Sequence, residues 1–423
     1  MQRKKTAGKS ADSIEINEKT LDLEFTPIDI IKITETDNGK GVSFMIYNEF
    51  QGLKLSALGM GNMRLPVIDG DDNQIDVKTA EEMFDYCMKS GINYYDTAYG
   101  YHGGKSELVV GELLKKYDRS SFYLASKFPG YDLTNMPKVK EIFEEQLKKC
   151  QVEYFDFYMF HNVCEMNVDA YLDPKYGIYD YLMEQKKNGR IKHLGFSAHG
   201  DIACMTKFLE AYGKDMEFCQ IELNYFDYKF QDAKGKVELL KKWNLPVWVM
   251  EPVRGGQLAN LSEEATAKLA AVRPDEKVPA WAFRFLQAIP EVTMTLSGMS
   301  NMQQLKDNIA TYEENKPLNE EEKELILSIA DDMIKKTTVP CTGCHYCVSH
   351  CPKGLDIPFL LKQYNEAMVA GSGIFISSMS LGTIDADKQP ECCIGCRSCE
   401  NVCPQTIKIP DELHNFAVTL GRV

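Results

Sequence analysis

From Leu55 onward, short apolar runs rich in β-branched and aromatic residues alternate with longer amphipathic stretches. The runs fall at 55–60, 92–95, 122–125, 155–160, 193–196, 218–222, 247–250 and 292–296. After them, apolar residues recur at helical spacing over 80–89, 107–116, 139–149, 179–187, 202–211, 235–242, 280–288 and 302–312. A parallel strand buried on both faces reads as a short continuous apolar run. Its parallel neighbour demands a crossover connection, usually a helix. Eight strand–helix units therefore predict an α/β fold, a closed (β/α)8 TIM barrel. An open doubly wound sheet is the alternative, but no G-x-G-x-x-G follows an early strand. The barrel is expected to span 45–336. Residues 1–44 are polar and mixed in charge, an extension without an assignable role, with an alternating stretch at 28–33 that predicts a strand.

In such a barrel the chemistry sits at the C-terminal ends of the strands. Asp96-Thr97-Ala98-Tyr99-Gly100-Tyr101 follows the second run, Ser126-Lys127 the third and Phe160-His161-Asn162 the fourth. Ser197-Ala198-His199 and Asn224-Tyr225 follow the fifth and sixth. Each has a plain structural reading: Asp96 as a cap, Lys127 as a surface charge, His161 as a satisfied polar residue. Taken together, an acid, a tyrosine, a lysine and a histidine at three successive strand ends point to a catalytic group.

Composition narrows the class. A chain of 423 residues with 44% hydrophobic and 26% charged residues is an ordinary globular protein. Its net charge of −14 argues against nucleic acid as a partner, because phosphate binding wants clustered Lys and Arg. No apolar run is long enough to span a membrane. Arg3, Lys4, Lys5 and Lys9 are not followed by the apolar stretch of a secretory signal, so a cytoplasmic location is expected.

The segment Gly91-Ile92-Asn93-Tyr94-Tyr95-Asp96-Thr97-Ala98 with Tyr101 resembles the G-x-x-x-x-D-T-A-x-x-Y signature of the aldo/keto reductases. Leu58–Pro66 is similar to that family's first-strand segment, and 103–107 to the G-x-S-E start of its next helix. The resemblance runs from about 45 to 335. It implies an enzyme that passes hydride from NADP(H) or NAD(H) to a small-molecule carbonyl substrate. Tyr101 would be the proton donor, Lys127 would lower the phenol's pKa, Asp96 would hold Lys127, and His161 would orient the carbonyl oxygen. Tyr99 is the competing tyrosine, but the family spacing from the aspartate selects Tyr101. For the cofactor, Ser197 and Gln220 fall where the family binds the carboxamide. Met250 would cover the nicotinamide ring where many members stack a tyrosine. Gly255 and Gly256 would let backbone N–H groups approach the pyrophosphate, with Arg64 supplying positive charge. Asp307 and Asn308 match the adenine-contacting positions, and Ser300 is a further candidate cofactor contact. Gly298 and Gln304 replace the Lys and Arg with which many NADPH-specific members hold the 2′-phosphate, so weak discrimination between NADPH and NADH is expected.

Nine of the fourteen cysteines lie between Cys341 and Cys403. Cys341-x2-Cys344-x2-Cys347-x3-Cys351-Pro352 is followed by Cys393-x2-Cys396-x2-Cys399-x3-Cys403-Pro404, which resembles the spacing of two-cluster ferredoxins. That resemblance implies two 4Fe–4S clusters with crossed fourth ligands. One set is Cys341, Cys344, Cys347 and Cys403, the other Cys393, Cys396, Cys399 and Cys351. Zinc is the alternative occupant, though paired C-x2-C motifs would suit it better. A helical pattern at 359–369 predicts a mostly α-helical ferredoxin-like domain over 337–423. Residues 341–423 carry six Lys or Arg and eight Asp or Glu, so a redox partner docking at this domain is expected to present a basic face. Two other readings stay open: an electron-transfer protein, or a dinucleotide-binding sensor or docking module that turns over no carbonyl.

Overall fold

The computed structural model describes residues 45–369 and 374–423. The extension 1–44 and the strand expected at 28–33 lie outside them. Two short strands, β1 (Tyr47–Phe50) and β2 (Leu53–Ser56), form an antiparallel hairpin. Eight parallel strands follow: β3 (Leu58–Gly61), β4 (Tyr94–Asp96), β5 (Tyr123–Phe128), β6 (Phe155–Val163), β7 (Ile191–Ala198), β8 (Cys219–Glu222), β9 (Val247–Met250) and β10 (Val292–Gly298). They pair in chain order, and β10 closes against β3 to complete a barrel.

The run at 55–60 does not form one strand. Its first two residues finish the hairpin, and the barrel begins at Leu58. The break lets the hairpin fold under the barrel. Phe50 packs against Phe157, Phe218 and Trp248 at the strands' N-terminal end, with centroids 5.7, 6.4 and 5.0 Å away. Tyr94, Met159, Met294 and Leu296 fill the interior above it. A second apolar layer lies between the strands and the surrounding helices.

Besides the short helices Val168–Leu172 and Asp227–Phe230, two longer ones in and just after the described barrel lie outside the predicted rhythm, Glu263–Val272 after β9 and Glu320–Thr337 after the last barrel helix. The second opens on a reciprocal cap between Asn319 and Glu322, an N-x-x-E pattern that the sequence displays.

Beyond it the chain builds a separate core around Leu355, Leu360, Leu361, Leu381, Leu413 and Phe416. Helices Ile357–Val369 and Ile409–Thr419 pack on each other there. The region is internally duplicated at a constant offset of 52 positions, Cys341 to Cys393 and Cys351 to Cys403. The backbone repeats with it: Gly343, His345 and Gly354 have positive φ, and so do Gly395, Arg397 and Thr406. This duplicated region rests on the barrel's C-terminal end. Val369 joins the barrel core, and the Asn162 amide at the end of β6 donates to Met379 Sδ at 3.5 Å. Among the described residues no helix is long and apolar enough to cross a membrane.

Candidate active site

Strands β4, β5 and β6 each deliver a polar side chain to the C-terminal mouth, because successive residues alternate between the barrel interior and the helix layer. Asp96 ends β4, Lys127 is the penultimate residue of β5, and His161 lies near the end of β6. Lys127 is fully buried, and its ammonium donates to Asp96 Oδ1 at 2.5 Å, to the Thr97 carbonyl at 2.9 Å and to Tyr101 Oη at 3.4 Å. Tyr101 stands edge-on to His161 at 6.0 Å, and Tyr131 closes the other side of the imidazole at 5.2 Å. Tyr99 points the other way. Its hydroxyl donates to Glu145 Oε2 at 3.0 Å on the outside of the barrel. The structure thus brings Asp96, Tyr101, Lys127 and His161 into one group and leaves Tyr99 out.

Burial would lower Lys127, but the Asp96 carboxylate and the Tyr101 phenol outweigh it and hold the ammonium above the usual lysine range. For Tyr101 the balance runs against the expectation from sequence. Burial raises the phenol, Lys127 pulls it back, and the net position stays above an ordinary tyrosine. His161 is driven well below the usual imidazole range by burial, by Lys127 and by His199. It is therefore neutral at pH 7, and its Nδ1 finds no hydrogen bond among the described residues.

Beside this group a cleft of about 170 Å³ runs along the mouth. Arg64, Gly255, Gly256, Gly298, Ser300, Gln304, Asp307 and Asn308 all line it. Ser197, Gln220 and Met250, expected from sequence to hold the nicotinamide, lie on β7, β8 and β9 and do not line this cleft. The Ser197 hydroxyl accepts the Asn162 N–H at 2.7 Å. Gly256 has φ +95°, a conformation without strain only for glycine. A Cβ on Gly298 would press on the Arg64 stem at 3.2–3.4 Å, so glycine there lets Arg64 lie across the strand end.

Glu251, absent from the sequence-derived set, proves central. Its Oε1 accepts from Arg64 Nη2 at 2.8 Å and its Oε2 from the Gly255 N–H at 2.5 Å. Its place in the Met250–Gly256 segment was the available signal. Tyr131 and Met379 carried none, since only the fold brings them to the mouth. Of the two glycine N–H groups expected to meet a pyrophosphate, Gly255 donates to Glu251 and Gly256 to the Val253 carbonyl at 3.0 Å. The small glycines, Arg64 and the polar groups of the cleft therefore fit a dinucleotide only where it exchanges with these internal partners.

The cysteines gather at two small cavities. Cys341, Cys344, Cys347 and Cys403 line one, and Cys351, Cys393, Cys396 and Cys399 the other. Each cavity thus takes three cysteines from one run and the last from the other. Among the described residues no group of three His, Cys, Asp or Glu could hold a single metal ion. Two all-thiolate cages suit a larger inorganic core better than zinc. Cys392 stands apart, its Sγ on the Ala386 carbonyl.

Residues 57–331 match the model of the aldo/keto reductase family, and residues 340–408 that of a 4Fe-4S dicluster domain. The chain is similar to L-galactose dehydrogenase of Arabidopsis thaliana, 25% identical over 296 residues that cover 65% of this chain and 89% of the relative. It is also similar to an NADH-specific methylglyoxal reductase of Escherichia coli, 26% identical over 227 residues, 49% of this chain and 66% of that protein. A crystal structure of an aldo-keto reductase from Klebsiella pneumoniae in complex with NADPH shares the fold, with a TM-score of 0.52 and 19% identity over 67% of this chain and 92% of that one.

Proposed function

The chain belongs to the aldo/keto reductase family, and from that premise we propose that this oxidoreductase reduces an aldehyde or ketone with NADH or NADPH, with Tyr101 as proton donor. The observation that carries the reading is the buried Asp96–Lys127–Tyr101 chain, with neutral His161 beside it, next to a cleft fit for a dinucleotide. A bound reduced nicotinamide supplies the hydride to the carbonyl carbon. Tyr101 gives its proton to the carbonyl oxygen as negative charge builds there. Lys127 hydrogen-bonds the phenol oxygen and stabilises the phenolate left behind. Asp96 keeps Lys127 charged and in place. The neutral imidazole of His161 donates a hydrogen bond to the carbonyl oxygen and orients it. Because burial keeps Tyr101 protonated at neutrality, the proton leaves only when a developing alkoxide takes it.

Residues 45–336 form the catalytic barrel in this reading, and residues 337–423 hold two 4Fe–4S clusters. Cys341, Cys344 and Cys347 with Cys403 bind one, and Cys393, Cys396 and Cys399 with Cys351 the other. Such clusters supply one-electron transfer, and a redox partner docking at this domain would use it. The free thiols throughout the barrel fit the reducing cytoplasm.

The test is turnover of the anaerobically purified chain on a panel of aldehydes and ketones, followed by loss of nicotinamide absorbance. Alcohol should form in step with oxidised dinucleotide. A chain that binds dinucleotide tightly yet reduces nothing across the panel would overturn the reading and favour a sensor or electron-transfer role.

A further inference from the structure

The loop 251–256 after β9 has an unusual backbone. Glu251 and Arg254 hold positive φ (+54° and +46°), followed by Gly255 and Gly256 at +61° and +95°. Left-handed non-glycine residues persist only where their surroundings over-determine them. Glu251 is fixed from inside the cleft by Arg64 and the Gly255 N–H. Arg254 is fixed from the opposite side. It is the one residue of the loop that does not line the cleft.

Its side chain, 7% exposed, turns towards the duplicated C-terminal region. The guanidinium lies 3.2 Å from Asp227 Oδ2 and 3.5 Å from Glu366 Oε2, and it donates to the Val369 carbonyl at 3.1 Å. The rings of Phe226 and Phe230 cover it at 4.9 and 5.5 Å. Glu366 and Val369 belong to helix Ile357–Val369, and Gln231 of the barrel donates to the same Glu366 oxygen at 3.1 Å. A planar fork with donors in three directions suits this place, and lysine cannot span it. One arginine therefore joins a strained loop in the cofactor cleft to a helix of the other domain.

We propose that Arg254 is a positioning residue through which the iron–sulfur domain holds loop 251–256 in its dinucleotide-binding shape, so that loosening the Glu366 contact weakens dinucleotide binding. The inference rests on the cofactor reading above. The groups facing Glu366 agree with it. Burial raises the carboxyl to about 7, with Arg254 and Lys362 lowering it and Asp227 raising it. Glu366 thus loses its charge as pH falls through 7, and the tie to Arg254 loosens with it.

The experiment uses the full chain, purified anaerobically, with NADH affinity read from quenching of tryptophan fluorescence. Glu366→Gln and Arg254→Met should each raise the dissociation constant about fivefold or more. The double variant should bind no worse than Arg254→Met alone, because both act through one contact. Arg254→Lys should fall between wild type and Arg254→Met. For Glu366→Gln, kcat at saturating dinucleotide and iron content should be unchanged. In the unaltered chain affinity should fall as pH drops through 7, and Glu366→Gln should flatten that dependence. Wild-type affinity in Glu366→Gln, or losses that simply add in the double variant, would overturn the inference. If the unaltered chain binds neither NADH nor NADPH, the cofactor reading itself fails, and the inference with it.

Discussion

At Tyr101 two influences oppose each other, burial raising the phenol and Lys127 lowering it, and burial prevails. Replacing Tyr101 by Phe removes only the proton donor, so carbonyl reduction should fall by roughly 10²–10⁴ while dinucleotide affinity holds. Full activity in that variant would exclude Tyr101. The same shifts set the pH profile of reduction at saturating dinucleotide. Tyr101 lies above its ordinary value near 10 and His161 well below its ordinary 6.5. The acid form of the phenol and the neutral imidazole therefore coexist across neutrality. The rate should stay level from pH 7 to 9 and fall only on the alkaline side, and a break near 6.5 would show that His161 titrates. At the far end of the cleft Arg64 is already paired with Glu251, and Lys277 with Asp307. Discrimination between NADPH and NADH should stay below about a thousandfold, on the order of 4 kcal/mol, in affinities measured at one salt concentration. The buried group proposed as catalytic was legible in the sequence because Asp96, Lys127 and His161 lie at or near strand ends and Tyr101 follows Asp96 at motif spacing. Glu251 was legible only as a member of the Met250–Gly256 segment and Tyr131 not at all, since their partners are brought close only by folding.

The barrel strands were legible for a related reason. Strands buried on both faces leave continuous apolar runs, and all eight runs contain or overlap a barrel strand. What the runs hid was the hairpin. An apolar stretch over 55–60 reads the same whether it is one strand or the end of one and the start of the next. The choice is made by Phe50, whose ring has nowhere to go but the floor of the barrel. Phe50 is 5% exposed and touches three aromatic side chains of the interior. Phe50→Ala should destabilise the protein by about 3–5 kcal/mol, read as a lower midpoint of denaturant unfolding. Because the floor lies at the opposite end from the mouth, the folded fraction should keep its kcat.

For the molecule as a whole, the two cysteine runs were plain in the sequence, whereas the seating of their domain on the mouth was not. That seating depends on Arg254, Asn162 and Met379, none of which has a spacing to betray it. The crossed cages make a specific prediction. Cys351→Ala should damage the cluster held by Cys393, Cys396 and Cys399 and spare the one held by its own run. Iron analysis and anaerobic electron paramagnetic resonance would see one intact cluster and one lost or reduced to three irons. Damage confined to the cluster of Cys341, Cys344 and Cys347, or zinc without acid-labile sulfide, would overturn the assignment. The duplication also imposes an order of events during synthesis. The last barrel strand is complete at Gly298, and both cages wait for residues made much later, one for Cys403 and the other for Cys399. A ribosome therefore releases a barrel free to fold well before either cage can close. Under the proposed cluster assignment, filling of the cages is a late step, and a cell short of iron or sulfide should accumulate chains with a folded barrel and open cages.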